Sequence, residues 1–267
     1  MGRSEAGEDR TGPDGSGQEA WRRQKYGDPR DYILVSGSAT VVGGMQGWFR
    51  DAMVRRLRRI LADHLPVGKL VDIGCAVGDW TLRYAQYGFA PEIVGIDLSP
   101  HFLELARAGA GRLCRELAAG PVAAPTMRFV EENALTTGEL AGADLVCMGG
   151  FIQCLPEEAA EALLGRVAAA QSARGAIYLR TNVTTDGTTW RGTSYYRPAS
   201  WYEALFRRLG YRSRDMHASA AIPIVEYAAG LGPIARGLGR LAGWGHSRFS
   251  QRGRLQFVNW VLVRDGT

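Results

Sequence analysis

The chain has 267 residues, of which 46% are hydrophobic, and its formal net charge is +5. This length supports one substantial domain and argues against two large ones. The basic residues are almost all arginine, because lysine occurs only at Lys25 and Lys69, and they are interleaved along the chain with 27 acidic residues. No run resembles a basic arm, which disfavours nucleic acid as a partner.

The cysteines favour a reducing compartment. They form no CxxC pair and have no histidine at metal-ligand spacing, so the sequence predicts neither a disulfide framework nor a metal site. The four are Cys75, Cys114, Cys147 and Cys154. The N-terminus lacks a signal-peptide pattern, and no apolar run reaches the roughly 18 residues that span a bilayer. We therefore expect a cytoplasmic protein without a membrane span.

The region before the core divides into a tail and an arm with a helix. Residues 1–20 are rich in Gly, Ser, Asp and Glu and contain no aromatic residue, which predicts a disordered tail. Residues 21–64 contain an arm that is well suited to fold over the core. From Gln46 to His64, apolar residues at three- and four-residue spacing predict a helix that covers one face of a sheet.

Strand and helix patterns then alternate regularly. Short apolar runs predict strands at 69–73, 92–97, 127–131, 144–148 and 176–179, the last one ending near Asn182. Helical patterns separate them, at 79–88, at 101–118 and around Ala160, Leu163, Leu164 and Val167. This alternation predicts right-handed βαβ units in a parallel sheet.

The C-terminal part predicts a helix and a closing hairpin. Ser200 and Glu203 form a capping box that starts a helix, which stops at Gly210. The apolar run 255–263 predicts a final strand, paired with one that begins at Tyr211. Between these strands the insert 218–253 is much longer than a hairpin requires, and its mixed apolar, Gly and Arg composition predicts a helical lid or a homodimer contact, with a membrane-surface helix as the alternative.

The segment Lys69 to Thr81 is the most informative motif. An apolar strand ends in Asp72 and Ile73, and glycines at 74 and 78 then allow a tight turn close to a ligand. A second strand ends in Asp97, about 20 residues further on, where an acid can accept hydrogen bonds from ribose hydroxyls. Asp79 stands where a dinucleotide fingerprint has its last glycine, which disfavours a nicotinamide enzyme.

The order acid-x-Gly-x-Ala-x-Gly resembles the class I S-adenosylmethionine-dependent methyltransferases, whose motif is acid-x-Gly-x-Gly-x-Gly. Ala76 departs from that pattern. Its methyl group is tolerated if φ at this position stays below zero, and it tightens the space over the amino-acid part of the cofactor. The resemblance covers about residues 65–265, within a core drawn at 65–267. It implies an α/β fold with a doubly wound, seven-stranded, mostly parallel sheet, closed by a C-terminal antiparallel hairpin and flanked by the helical arm and the lid insert. It also implies that the arm before the first strand supplies part of a substrate cover, and a packing role for that arm stays open.

The resemblance also implies the cofactor, S-adenosyl-L-methionine, and its site. The turn from Gly74 through Ala76 to Gly78 wraps the amino-acid and ribose portions, and Asp72 orders that turn or a water near the ammonium group. The remaining implied contacts are Asp97 with the ribose, Leu98 with the adenine, Asn133 and Ala134 beside the adenine amino group, and Gly149 and Gln153 along the methionine portion. A turn role for Asn133 stays open.

For methyl transfer the protein mainly has to position the acceptor atom and exclude water, because the methyl group of the cofactor is already activated. No conspicuous catalytic motif is therefore expected. Candidate bases are His217 after the predicted sixth strand, Tyr195 and Tyr196 in the loop after the fifth, and His246 in the insert. A packing or surface role is open for each, because spacing identifies no partner residue.

The sequence therefore predicts transfer of a methyl group to O, N or C of a small organic acceptor, in natural-product biosynthesis. Two alternatives stay open. One is an RNA or protein methyltransferase with a basic rim. The other is a protein that binds S-adenosylmethionine without transferring its methyl group.

Overall fold

The computed structural model describes residues 41–119, 123–185, 187–191, 194–218 and 255–264. The predicted disordered tail, the arm before residue 41 and the insert beyond residue 218 lie outside these ranges, as does His246. The domain boundaries drawn there stay predictions. None of the helices in the described ranges is long and apolar enough to cross a membrane.

The described chain alternates helices and strands. The helices are α1 (Val41–Ile60), α2 (Asp79–Gln86), α3 (Pro100–Ala118), α4 (Glu157–Ala170) and α5 (Ala199–Arg208), with a 3₁₀ turn at Ile152–Cys154. The strands are β1 (Lys69–Ile73), β2 (Glu92–Asp97), β3 (Thr126–Glu131), β4 (Leu145–Gly149), β5 (Ala176–Thr184), β6 (Thr189–Arg191), β7 (Ser194–Pro198), β8 (Tyr211–Ala218) and β9 (Leu255–Arg264). Most boundaries lie within one or two residues of the sequence prediction, although α1 begins five residues earlier and ends four residues sooner.

The central strands form a mostly parallel, doubly wound sheet. β3, β2, β1, β4 and β5 lie side by side in that order and run parallel. β9 then pairs antiparallel with β5, and β8 pairs antiparallel with β9. The predicted fold, including its closing hairpin, is confirmed. The strand order reverses between β1 and β4, so a ligand crevice is expected at the carboxyl ends of these strands.

Two strands add to the seven predicted ones. β9 pairs with β5 along its whole length, from Ala176↔Val263 to Thr184↔Leu255. On the other edge, β4 pairs with β5 only as far as Gly149↔Arg180. The end of β5 therefore projects past β4 with one edge vacant, and β7 pairs there at Val183 and Thr184. β6 pairs antiparallel with β7 and completes a short hairpin at this carboxyl edge.

The predicted capping box at Ser200 is wrong. α5 begins at Ala199, and Pro198 is its N-cap without a side-chain capping hydrogen bond. Pro198 pairs with Thr184 in the sheet and its ring fixes φ, so the chain enters the helix directly from β7. Ser200 consequently lies inside the first helical turn, where it does not have the extended backbone of a cap.

The sheet separates two apolar layers. Val71 and Ile73 pack in the layer that contains α4 and α5, whereas Leu70 packs in the layer that contains α1 and α2. Asp72 therefore points into the α1–α2 layer, and it is only 2% exposed. Arg56 ties α1 to the sheet through two hydrogen bonds to Asp215 of β8, of 3.0 and 2.9 Å.

Gly95 sets the packing of β2 against the loop after β1. A Cβ at this position would lie 2.7 Å from Phe129 Cδ1 and 2.9 Å from Cys75 Sγ. We expect Gly95→Ala to lower the free energy of unfolding by about 1 to 3 kcal/mol, because both neighbours must move. Chemical denaturation measures this change.

Gly165→Ala is the matched control, because a Cβ at Gly165 in α4 meets nothing within 4 Å. Its better helix propensity should raise the stability by up to about 1 kcal/mol. Equal effects of the two substitutions would contradict the packing argument.

Candidate active site

The turn after β1 is built from three left-handed residues. Gly74 has φ 68°, Ala76 has φ 49° and Gly78 has φ 80°. The backbone N–H groups of Gly74 and Cys75 both donate to the carbonyl of Ile96, at 2.8 and 3.0 Å. The turn is thus held against the end of the neighbouring strand β2.

Ala76 does not meet the condition under which its methyl group was expected to be tolerated, because its φ is positive. An L-residue with a Cβ is strained in this region by about 1 to 2 kcal/mol. The conformation is maintained by a tertiary contact, since the Ala76 N–H donates to Asp97 Oδ2 at 2.9 Å. Ala76 is therefore a strained residue at the position that carries glycine in the motif it resembles.

Asp97 lies at the end of β2 and faces the turn. Its second oxygen, Oδ1, accepts the N–H of Ser99 at 2.9 Å. Burial raises the pKa of Asp97, and the hydrogen bonds from Ser99 and Ala76 oppose that shift. A carboxylate oxygen accepts more than one hydrogen bond, so both oxygens can still receive hydroxyl groups. The next residue, Leu98, exposes 49% of its surface, which leaves an apolar face beside the carboxylate. This pairing fits a ribose with an adenine.

Asp72 is buried behind the turn. Thr81 in α2 donates to Asp72 Oδ2 at 2.6 Å. Burial raises the pKa of Asp72 to about 6, although the Thr81 hydrogen bond and the charge of Arg180 act in the opposite direction. At neutral pH the group is therefore a buried carboxylate close to the carboxyl ends of the strands.

Asp79 places a second carboxylate at the start of α2. Arg50 in α1 contacts it at 2.8 Å. A helix N-terminus favours anionic ligands, and a fixed carboxylate at that position would repel a pyrophosphate. The carboxylate at this helix start therefore disfavours a pyrophosphate, and Arg50 holds it in place.

The loop after β3 contains a local turn. Asn133 is exposed, and its Oδ1 accepts the N–H of Leu135 at 2.9 Å. Ala134 is buried in the layer that contains α4. The amide oxygen of Asn133 has a second lone pair, so the turn does not use its whole accepting capacity. The adenine contact assigned to these two residues stays a prediction.

The loop after β4 covers the turn. Phe151 packs on Gly74 so closely that a Cβ there would lie 2.8 Å from its Cδ2. Gln153 Oε1 accepts the hydroxyl of Thr181 at 3.2 Å and the backbone N–H of Asn182 at 3.1 Å. Gln153 thus ties this loop to the end of β5, and its role along the cofactor's methionine portion stays a prediction.

Two buried arginines in the site were not predicted from the sequence. Arg197 in β7 is fully buried and donates to the carbonyls of Ile152 and Leu155, at 3.4 and 2.5 Å, so it fixes the loop after β4. Arg180 in β5 is 6% exposed and lies against Gly149 and Trp80. A charged residue at the end of the apolar run 176–179 was the available signal for Arg180.

The candidate bases lie on different strands. Tyr195 is half-buried in β7, with the Arg197 guanidinium 5.7 Å from its ring centroid, and Tyr196 follows it. His217 does not follow the strand as expected but lies within β8, opposite Asn259 of β9. β5 and β9 lie between β7 and β8, a separation of roughly 14 Å from strand spacing. The structure therefore does not bring Tyr195 and His217 together.

Comparison with known proteins supports the resemblance. Residues 70–175 match the family model described as a methyltransferase domain. This part of the chain is therefore a methyltransferase domain. The match agrees with S-adenosylmethionine as the expected cofactor. A search of curated protein sequences finds no significant match.

Solved methyltransferase-fold structures are similar over most of the chain. The [4+2]-cyclase SpnF is 16% identical with a TM-score of 0.57, covering 80% of each chain. The magnesium protoporphyrin IX methyltransferase ChlM from Synechocystis PCC 6803, with bound S-adenosylhomocysteine, is 17% identical with a TM-score of 0.55, covering 94% of this chain and 95% of its own. The O-methyltransferase from a trans-AT PKS multienzyme of Brevibacillus brevis is 14% identical with a TM-score of 0.53, covering 96% and 82%. These are similarities of fold.

Ala76→Gly tests the strain in the methyltransferase turn. Glycine removes the left-handed penalty of about 1 to 2 kcal/mol and adds unfolded-state entropy that costs about 0.4 to 1 kcal/mol. We expect a net gain in the free energy of unfolding of up to about 1 kcal/mol, measured by chemical denaturation. Ala159→Gly, inside α4, is the control and should lose about 1 kcal/mol. A loss of the same size for Ala76→Gly would refute the strain.

Asp72→Asn tests the burial of the Asp72 carboxyl. The folded pKa of about 6 lies above the ordinary aspartate pKa of 3.8, so between these pH values the native state binds more protons than the unfolded state. The contribution of Asp72 to stability therefore falls as pH rises from about 4 through 6, by roughly 3 kcal/mol in total. Asparagine cannot lose a proton and lacks this fall.

The measurement is the difference in unfolding free energy between Asp72→Asn and the unmodified protein, taken at intervals from pH 4 to pH 8. We expect the difference to grow in favour of Asp72→Asn as pH rises. Titrating groups that do not interact with Asp72 contribute equally to both proteins and cancel, whereas the charge of Asp97 raises the pKa of Asp72 and is part of the measured effect. A difference that stays constant over this range would show that Asp72 has no raised pKa.

Proposed function

We propose that this methyltransferase acts on O, N or C of a small organic acceptor in natural-product biosynthesis. The observation that carries the proposal is the arrangement at the carboxyl edge of the sheet. The residues that we assign to the cofactor lie at the ends of β1 and β2. The β6–β7 hairpin and the facing ends of β8 and β9 lie at the same edge, on the other side of β4. The acceptor would be enclosed between these two groups of elements.

The names of similar structures agree with a small acceptor. ChlM is a magnesium protoporphyrin IX methyltransferase, and the Brevibacillus brevis protein is an O-methyltransferase of a PKS multienzyme. Both proteins were crystallised with S-adenosylhomocysteine, the product that methyl transfer leaves behind. For the present chain we accordingly propose a small organic acceptor and name no particular compound.

The cofactor determines which steps the protein must support. Bound S-adenosylmethionine supplies a methyl group that is already activated on a sulfonium. In the proposed site Asp97 accepts hydrogen bonds from the ribose, and Arg197 and Gln153 hold the loop after β4 in place. The protein then has to keep the acceptor atom within about 3 Å of the methyl group and to exclude water.

A base is useful only when the acceptor is a hydroxyl or a protonated amine. Tyr195 lies in β7, which pairs with one edge of β5, and His217 lies in β8, beyond β9 on the other edge. Because about three strand spacings separate them, we propose that one of them, and not both, takes a proton from a given acceptor atom.

The similarity to the [4+2]-cyclase SpnF favours one second candidate, which is a bond-forming role without methyl transfer. The two candidates differ in what happens to the cofactor. A methyltransferase releases S-adenosylhomocysteine in equal amount to product, whereas a cyclase leaves S-adenosylmethionine unchanged.

The test of function is a screen of candidate small acceptors with the purified protein and S-adenosylmethionine. Mass spectrometry should detect an acceptor that gains one CH₂ together with an equal amount of S-adenosylhomocysteine. Conversion of an acceptor to an isomer without S-adenosylhomocysteine release would favour the second candidate. Methylation of RNA or protein, with strong salt dependence, would instead show a macromolecular substrate.

Asp97→Ala tests the assigned ribose contact. Calorimetry should show that S-adenosylhomocysteine binds, that NAD does not, and that Asp97→Ala weakens S-adenosylhomocysteine binding by about 1 to 3 kcal/mol through loss of a charge-assisted hydrogen bond.

The matched control is Glu131→Gln, which alters the exposed carboxylate at the end of the adjacent strand, in register with Asp97. It should leave the affinity unchanged. Thermal unfolding of both variants checks that the turn still folds, because Asp97 also holds the N–H of Ala76. Tight NAD binding by the unmodified protein would overturn the cofactor assignment.

A further inference from the structure

Arg180 carries a buried positive charge without a partner. Its side chain is in β5 and only 6% of the residue is exposed. Its Nε is buried and makes no hydrogen bond, and across the described ranges the guanidinium has neither a hydrogen-bond acceptor nor an ion pair. Its contacts are with aromatic rings. Cζ lies 3.3 Å from a ring centroid of Trp80 and 5.7 Å from the ring of Tyr178.

A protein normally pairs a charge that it removes from water, because an unpaired buried charge is strongly destabilising. Stacking on an indole offsets part of this cost, but it leaves the N–H groups of the guanidinium unsatisfied. The planar fork of these N–H groups matches a carboxylate with two parallel hydrogen bonds. An unpaired buried arginine at a ligand site is therefore prepared for an anion.

The sheet directs this arginine into the site. Arg180 is in register with Gly149, the last residue of β4. A Cβ on Gly149 would lie 1.8 Å from Arg180 Nη2, so the guanidinium occupies the space above the glycine. It thereby extends from β5 across the end of β4, towards Trp80 at the start of α2.

Asp72 lies on the same face of the sheet. Asp72 is in register with Cys147, which is in register with Tyr178, two residues before Arg180. The charge of Arg180 acts on the Asp72 carboxyl. The site thus offers one buried negative and one buried positive group near the glycine turn, a pair that complements an ammonium and a carboxylate on one ligand.

We propose that Arg180 is the carboxylate-binding residue of this site, and that Gly149 is required to let its guanidinium reach the ligand. The pairing with Asp72 favours the carboxylate of the cofactor's methionine portion as the occupant. An acidic group of the acceptor has the same chemistry, and that second source rests on the proposed function.

The test compares ligands with and without a carboxylate. S-Adenosylhomocysteine carries one, and 5′-methylthioadenosine lacks the amino-acid portion that bears it. In calorimetry Arg180→Met should weaken S-adenosylhomocysteine about 10- to 100-fold and leave 5′-methylthioadenosine unchanged. Gly149→Ala should act in the same direction without removing the charge. Arg208→Met is the control, because Arg208 in α5 pairs with Glu161 of α4 on the surface. It should change neither affinity.

Formate, compared with chloride at equal ionic strength, separates the two sources of the carboxylate. If the cofactor's carboxylate occupies Arg180, formate should raise the melting temperature of the 5′-methylthioadenosine complex but not that of the S-adenosylhomocysteine complex. If the acceptor's acid occupies it, formate should stabilise both complexes. Either response must vanish in Arg180→Met.

Arg180→Lys provides a second variant that keeps the charge and loses the planar fork, and it should give a smaller loss in the same direction. The inference is overturned if the unmodified protein, Arg180→Met and Arg180→Lys all bind S-adenosylhomocysteine with the same affinity and all show the same change of melting temperature in formate. Because the readout is binding, failure of methyl transfer to every acceptor would refute the proposed function without affecting this result.

Discussion

The hydrogen bonds between the turn after β1 and the end of β2 are the constraint on which the site depends. The Ile96 carbonyl accepts two N–H groups of the turn, and Asp97 accepts a third, that of Ala76. These bonds keep the backbone in a left-handed course that an alanine would not adopt alone. They also place the Asp97 carboxylate beside the turn, so the element that shapes the turn is the one assigned to the ribose.

The sheet places the groups that we assign to the ligand on two sides of the switch point. β1 and β2 carry the carboxylates, whereas β4 and β5 carry Gly149 and Arg180. Parallel pairing brings the carboxyl ends of all four strands to one edge, and this explains how residues far apart in sequence share a site. The fixed loop after β4, held by Arg197 and Gln153, covers the space between the two sides.

Much of the fold could be predicted from the sequence because its signals are local. Each of these signals lies within a few consecutive residues. They are the apolar runs of β1 and β2, the glycines at 74 and 78, and the acid at Asp97. The features that could not be predicted depend on distant partners. The positive φ of Ala76 follows from a hydrogen bond to Asp97, and the β6–β7 hairpin exists because β4 stops before β5 does. The burial of Arg180 requires the absence of a side chain at Gly149.

Backbone pairing sets the positions of β8 and β9, and it does not depend on the segment that connects these two strands. β8 ends at Ala218 and β9 begins near Leu255, both at the carboxyl edge, and their register with each other and with β5 is set by backbone pairing. A connection that leaves and re-enters the sheet at one edge can change in length and composition without shifting any strand. This is because the entropic cost of closing a loop rises only slowly with the length of the loop. Differences in that connection would therefore leave the register of β5, β8 and β9 unchanged.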